Sequence, residues 1–143
     1  MNRPRARRLA LQGLCCLDVQ GPAAREGVDH FIAESHEPPE TLFAAKELLQ
    51  RVLEDRDACD GLLTRHARHW DLARLALIDR NILRLAVCEL RAGRTPPKVV
   101  ISEALHLAQE FSTTESPRFI NGILDAVARE IRGETAEPAE GKN

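Results

Sequence analysis

A chain of 143 residues with 43% apolar and 29% charged content fits one soluble globular domain, long enough to bury a core without disulfides or metal. Four Phe, one Trp and no Tyr leave that core to Leu, Ala, Val and Ile. A net charge of −2 argues against an indiscriminate polyanion binder.

The charge is unevenly spread. Residues 1–20 carry four Arg against one Asp, residues 34–60 eight acids against three bases, and residues 61–100 eight bases against three acids. Local basic patches therefore remain available to a partner. Cys15, Cys16, Cys59 and Cys88 lack metal-ligand spacing and read as buried thiols in a reducing compartment. No apolar run approaches the ~18 residues of a membrane span, and the Arg-rich start lacks a signal-peptide apolar segment. A cytoplasmic protein without membrane contact is expected.

Helix periodicity runs through the whole chain. The first helix spans about Pro4 to Val19, with Ala6, Leu9, Ala10, Gly13, Leu14 and Leu17 on one buried stripe. Arg5, Arg8 and Gln12 lie off it, and Gly21-Pro22 stops the helix. A short helix follows from about Ala23 to Glu34, burying Val28, Phe31 and Ile32. After Pro38-Pro39 a long helical region reaches from Glu40 to His66, with a kink expected at Gly61. Its core face is Leu42, Ala45, Leu48, Leu49, Val52, Leu53, Cys59, Leu62 and Leu63.

Trp70-Asp71-Leu72 opens a connection into a helix over about Leu77–Ala92, where Ile78, Ile82, Leu85, Ala86 and Leu90 form one stripe. Gly93 and Pro96 end it. Another helix covers about Lys98 to Phe111. Thr113-Thr114-Glu115 is a turn, and Ser116 is the expected N-cap of a last helix that begins with Pro117 and ends near Arg132. Asn121-Gly122 reads as a close helix approach beside a buried amide. The fold class is all-α, a compact bundle of about six to seven helices in two packed helical halves, punctuated at Gly21–Pro39 and Gly93–Pro97. Residues 1–132 form the single domain and 133–143 a disordered tail.

Chemistry-bearing clusters are few. Arg3, Arg5, Arg7 and Arg8 gather guanidiniums that bind phosphate bidentately and stack on bases. A solvated helix face is the plain alternative. Phe111 and Phe119 flank a turn with Glu115 and Arg118; aromatics beside a base-binding cation stack unpaired bases, although a Phe on an apolar stripe is ordinarily core. Asp79 stands in a first helical turn, where a carboxylate complements the helix dipole. His66 and His69, with Asp71 nearby, lack a placed third ligand, so no metal is expected. No Ser or Cys has a base beside it, so no catalytic residue is assigned.

Three stretches carry a resemblance. Pro97 to Phe111 and Ser116 to Asp125 resemble P-x-x-V-x-I-N-E-A-x-x-L-A-K-x-F and S-x-x-F-V-N-G-x-L-D of the bacterial transcription antitermination factor NusB family. Arg3, Ala6, Arg7, Ala10, Gln12 and Leu14 match its opening R-x-x-A-R-x-x-A-x-Q-x-L, and Ile78 to Ala86 is similar to its D-R-x-I-L-R-L-A segment. The likeness covers residues 3–132. Cys15, Ser102 and Gln109 depart from it where members often carry Tyr, Asn and Lys.

The resemblance implies a NusB-like helical domain that binds single-stranded boxA RNA of ribosomal RNA transcripts together with the basic ribosomal protein NusE. The pair would belong to an antitermination complex on RNA polymerase, with no cofactor. By that match, Arg3, Arg5, Arg7, Arg8, Phe111, Glu115, Arg118 and Phe119 are the RNA-contact residues. Ile78, Asp79, Arg80 and Ile82 are the NusE-contact residues. Reversing the charge of Asp79 is expected to repel that partner at a fold cost of only about 0.3–1 kcal/mol, and to spare RNA binding. The rival readings are a protein-binding or homodimeric helical module that covers the Arg surface, and the NusB-like domain of a ribosomal RNA cytosine-5 methyltransferase. No nucleotide-binding βαβ unit occurs in these residues, so methyl transfer is not expected.

Overall fold

The computed structural model describes residues 3–67 and 75–133, and these are helical throughout, with no strand among them. Seven α-helices occur in the described residues: α1 (Arg3–Gln20), α2 (Arg25–Ala33), α3 (Pro39–Glu54), α4 (Arg56–His66), α5 (Leu77–Ala92), α6 (Pro97–Phe111) and α7 (Ser116–Ile131). A 3₁₀ turn, Pro22–Ala24, precedes α2. They divide into two compact units, one through Asp55 and one from Arg56. The division therefore falls at neither Gly21–Pro39 nor Gly93–Pro97. The expected connection at Trp70-Asp71-Leu72 and the tail beyond Gly133 lie outside the described residues.

In the first unit α1 packs on α2 and α3. Gly21, at φ +87°, ends α1 where a side chain would be strained, and its N–H reaches Leu17 O at 2.7 Å. The stripe Ala6, Leu9, Ala10, Gly13, Leu14, Leu17 is buried as expected, but Arg7 and Leu11 are buried as well. Arg7, Leu11 and Leu14 make a second buried line, which the apolar count hid because its first member is charged. Phe31, expected in the core, is half exposed; Val28 and Ile32 of α2 are the buried pair.

Gly13 is where α1 meets its neighbours most closely. A Cβ there would lie 2.9 Å from Val28 Cγ1 and 3.4 Å from Leu49 Cδ2. Val28 is β-branched and stiff about χ1, so it yields poorly. Gly13→Ala gains about 1 kcal/mol of helix propensity but incurs about 1–3 kcal/mol of overpacking. A net loss of about 1 kcal/mol in urea unfolding is expected. A stabilised variant would mean that the α1–α2 contact relaxes freely.

The long helical region expected from Glu40 to His66 is two helices, broken at Asp55 rather than kinked at Gly61. Asp55 sits at φ −100°, ψ 9°, and closes α3 by donating its N–H to Arg51 O at 2.9 Å. Asp competes for backbone hydrogen bonds, and Asp57 then favours the positive end of a new helix. Leu42, Leu48 and Leu53 are only half-buried, whereas Ala45, Leu49, Val52, Cys59, Leu62 and Leu63 are core.

In the second unit α5 packs against α4, α6 and α7. It does not present one stripe: every residue from Asn81 to Cys88 is buried, Ile78 only half so. Two polar residues inside this helix are satisfied internally. Asn81 Nδ2 donates to Leu77 O at 3.0 Å, and Arg84 grips Asp60 of α4 with Nε at 2.8 Å and Nη2 at 3.0 Å. Gly93, at φ +70°, ends α5 in a left-handed cap. Asn121 and Gly122 are exposed, with nothing near the glycine; the close approach expected there is absent, and Asn81 is the buried amide instead. The four cysteines form no disulfide, and Cys15 and Cys16 are half-buried rather than core.

Glu130 of α7 joins α4 by accepting from both Arg65 and His66, the latter at 2.6 Å. The hydrogen bond from Arg65, then that from His66, holds the Glu130 carboxyl below the usual carboxylate range. A lowered folded-state value stabilises the fold above the ordinary range, and this contribution fades as pH falls through the lowered value. Glu130→Gln should therefore lose a small stabilisation near neutral pH and none in acid. Urea midpoints of parent and variant should converge between about pH 5 and pH 2; a constant gap would place the effect elsewhere. All three groups are solvent-touching, so the effect is modest.

Candidate nucleic-acid interface

The start of α1 carries arginines and no acid in its first turn. This runs against the helix dipole, whose positive end favours carboxylates. Arginine there adds to the dipole's positive potential, which is the arrangement that attracts an anion. Arg3 and Arg5 are exposed and Arg8 is half-buried. Arg5 Nη1 also touches Glu37 at 3.2 Å, an exposed pair that solvent weakens. Arg7 is the exception among the four expected contacts. At 3% exposed it belongs to the second buried line of α1, so its guanidinium is not presented to a ligand here.

The second patch lies within the other unit, where α6 turns into α7. Glu115 and Arg118 are exposed, and Phe111 and Phe119 are half-buried. Thus neither Phe is plain core, and each keeps part of its ring accessible for stacking. Glu115, Arg118 and Phe119 line a cleft of about 770 Å³ with Leu75, Ala76 and Asp79. The turn and the start of α5 therefore share one concavity. Phe111 is not among its lining residues.

Two of the four residues expected to touch a protein partner are corrected. Ile82 is 0% exposed, because it faces the core on a helix buried nearly all round. It cannot form a surface. Asp79 is 8% exposed and its carboxylate is already engaged: Ser112 Oγ donates to Oδ1 at 2.6 Å and Ser116 Oγ to Oδ2 at 2.9 Å. Ile78 and Arg80 remain half-buried at the start of α5, with Arg80 Nη1 donating to Leu75 O at 3.4 Å. Ser116 is correspondingly not an N-cap. Its hydroxyl serves Asp79, and α7 starts behind Glu115 with no side-chain cap.

Among the described residues no group of three His, Cys, Asp or Glu is arranged to hold a metal. His69 and Asp71 of the cluster weighed above lie outside those residues, and His66 is held by Glu130. No described helix is long and apolar enough to cross a membrane. The interactions missed in the sequence had one signal: Arg84, between Leu83 and Leu85, is a charge in an apolar run and needs a buried counter-ion.

Fold and surfaces define an all-helical protein with a basic helix start and an aromatic-flanked turn, features of a nucleic-acid-binding module. Residues 4–129 match the NusB family across both units. The transcription antitermination protein NusB of Solibacter usitatus is 42% identical over 96% of each chain, and that of Symbiobacterium thermophilum is 37% identical over 93% of each. T. maritima NusB superposes with a TM-score of 0.84 at 30% identity, covering 91% of this chain and 92% of its own. The antitermination factor NusB solved with NusE and double-stranded RNA has a TM-score of 0.81 at 25% identity, over 90% and 96%. The chain belongs to the NusB family.

Proposed function

We propose that this protein is a transcription antitermination factor that binds boxA-type RNA of ribosomal RNA transcripts together with a NusE-type ribosomal protein. The pair acts in an antitermination complex on RNA polymerase, in the cytoplasm and without a catalytic step. The observation that carries the RNA half is the start of α1, where Arg3, Arg5 and Arg8 stand without an acidic residue in the first turn. Glu115, Arg118, Phe111 and Phe119 supply a second contact region, with ring faces for bases and a carboxylate that accepts from base or ribose donors. The partner half rests on family membership and on Ile78 and Arg80 at the start of α5. A chain of net charge −2 binds RNA weakly alone and gains affinity when a basic partner extends the surface.

The test is titration of a single-stranded boxA-type oligonucleotide across a salt series, with and without NusE. Arg3, Arg5 and Arg8 replaced together by Ala should leave the melting temperature nearly unchanged. RNA affinity should fall, and the slope of log affinity against log salt should flatten by about two to three. A variant that binds as tightly as the parent would remove the α1 start from the interface. No RNA binding by the parent, with or without NusE, would leave the protein-binding module as the reading.

A further inference from the structure

We propose that Asp79 is a positioning residue for RNA binding, its carboxylate holding the α6–α7 turn through Ser112 and Ser116 so that Glu115, Arg118 and Phe119 meet RNA. This rests on the RNA-binding reading above.

Three elements converge on one carboxylate. Asp79 lies in the first turn of α5, Ser112 just past the end of α6, and Ser116 at the start of α7. Ser112 stands in extended backbone, φ −123°, ψ −163°, which turns the chain off α6. Ser112 Oγ and Ser116 Oγ are also 2.8 Å apart, and Thr113 Oγ1 is 3.0 Å from Ser116 Oγ.

Counting protons orders this network. Each hydroxyl has one proton to give. An ionised Asp79 takes that of Ser112 on Oδ1 and that of Ser116 on Oδ2. Thr113 is then the donor to Ser116, and no proton remains between the two serines. Every hydroxyl points its donation toward the carboxylate, directly or through Ser116. Hydrogen bonds to a charged acceptor are the stronger kind, so the turn is fastened at both its ends.

What the ring fastens is the segment that bears the candidate RNA contacts. Thr113, Thr114 and Glu115 are exposed and have no hydrophobic anchor of their own, while Ser116 is buried. The backbone tie from Phe119 N to Glu115 O is long at 3.4 Å. A turn ordered before RNA arrives spares the entropy of ordering it on binding. Asp79 therefore acts on RNA through the turn without touching it.

Ser112→Ala, Ser116→Ala and Asp79→Ala are each titrated with the single-stranded boxA-type oligonucleotide in the absence of NusE, well below their melting temperatures. Hydrogen exchange of residues 113–119 is followed in the free proteins. Each variant should bind about tenfold more weakly, the cost of ordering one or two residues on binding. Its salt slope should be unchanged, since no phosphate contact is lost. Exchange in the turn should accelerate. The double variant Asp79→Ala, Ser116→Ala should bind no worse than the weaker single one, because both remove the same ring. Asp79→Asn, which offers one acceptor and one donor to the two hydroxyls, should restore most of the affinity.

Leu63→Ala, a core truncation in α4, controls for lost stability and should keep the parent's affinity. Unchanged affinity in the serine variants, additive losses, or an equal loss in Leu63→Ala would overturn the proposal. Parent protein that binds no RNA with or without NusE would overturn the functional reading instead, and the exchange rates would still decide whether the ring holds the turn.

Discussion

Asp60→Ala is expected to cost about 3 kcal/mol, the low end of what removing one partner of a buried ion pair costs, because only the Arg84 side of the pair is fully buried. The guanidinium of Arg84 is 6% exposed and grips Asp60 with two nitrogens, at 2.8 and 3.0 Å. Deleting the carboxylate removes this two-nitrogen grip on a guanidinium inside α5; Asn81 Oδ1, at 3.3 Å from Nη1, is a neutral acceptor. Arg84→Ala should cost less on the polar side, because Asp60 is 25% exposed, reaches water and keeps Arg56 at 3.8 Å. Replacing both residues with apolar side chains of similar volume should recover most of the loss. Against a total stability of about 5–15 kcal/mol, Asp60→Ala removes a large share, and its melting point should drop by about 10 °C. Equal losses in Asp60→Ala and Arg84→Ala would show that packing, not the lost carboxylate, sets the cost.

That pair also shows where the chain was legible and where it was not. Helix positions follow from apolar spacing and Gly–Pro punctuation, and α5, α6 and α7 fall within a residue or two of their expected bounds. Apolar spacing says nothing about a charged residue that is buried because a distant residue neutralises it. Arg84, gripped by Asp60, is such a residue, and Arg7, expected at the RNA surface, is buried as well. The break at Asp55 was missed because Val52, Cys59 and Leu62 keep helical spacing across it, while hydrogen-bond competition at one Asp is a local event.

The candidate RNA surface was legible by residue type at Arg3, Arg5 and Arg8, which the fold leaves at least partly exposed. The start of α5 was not. A lone Asp in a first helical turn fits a dipole interaction, and only tertiary structure brings Ser112 and Ser116 to it, 33 and 37 residues away in sequence. Ser116-Pro117 reads as a helix start for equally sound local reasons, but α7 begins one residue earlier, behind Glu115, and the Ser116 hydroxyl donates to a buried carboxylate instead of capping.

Asp79→Lys therefore has a different expected result from the one its position alone suggests. A dipole effect is about 0.3–1 kcal/mol; two hydroxyl bonds to a buried carboxylate are together about 3 kcal/mol or more. An ammonium in the same place finds two serine oxygens but no counter-charge within the ring. It must strand a buried charge or swing outward, opening the α6–α7 turn. The expected loss is about 3–5 kcal/mol in urea unfolding, with Asp79→Asn intermediate because it keeps hydrogen bonds without the charge. Weaker NusE binding by Asp79→Lys would then not by itself place Asp79 at the partner surface. Arg80→Glu at half-buried Arg80 changes charge next to it without breaking the ring, and so separates partner contact from turn geometry. If Asp79→Lys unfolds at the parent's urea midpoint, the ring carries no stability and the dipole estimate stands.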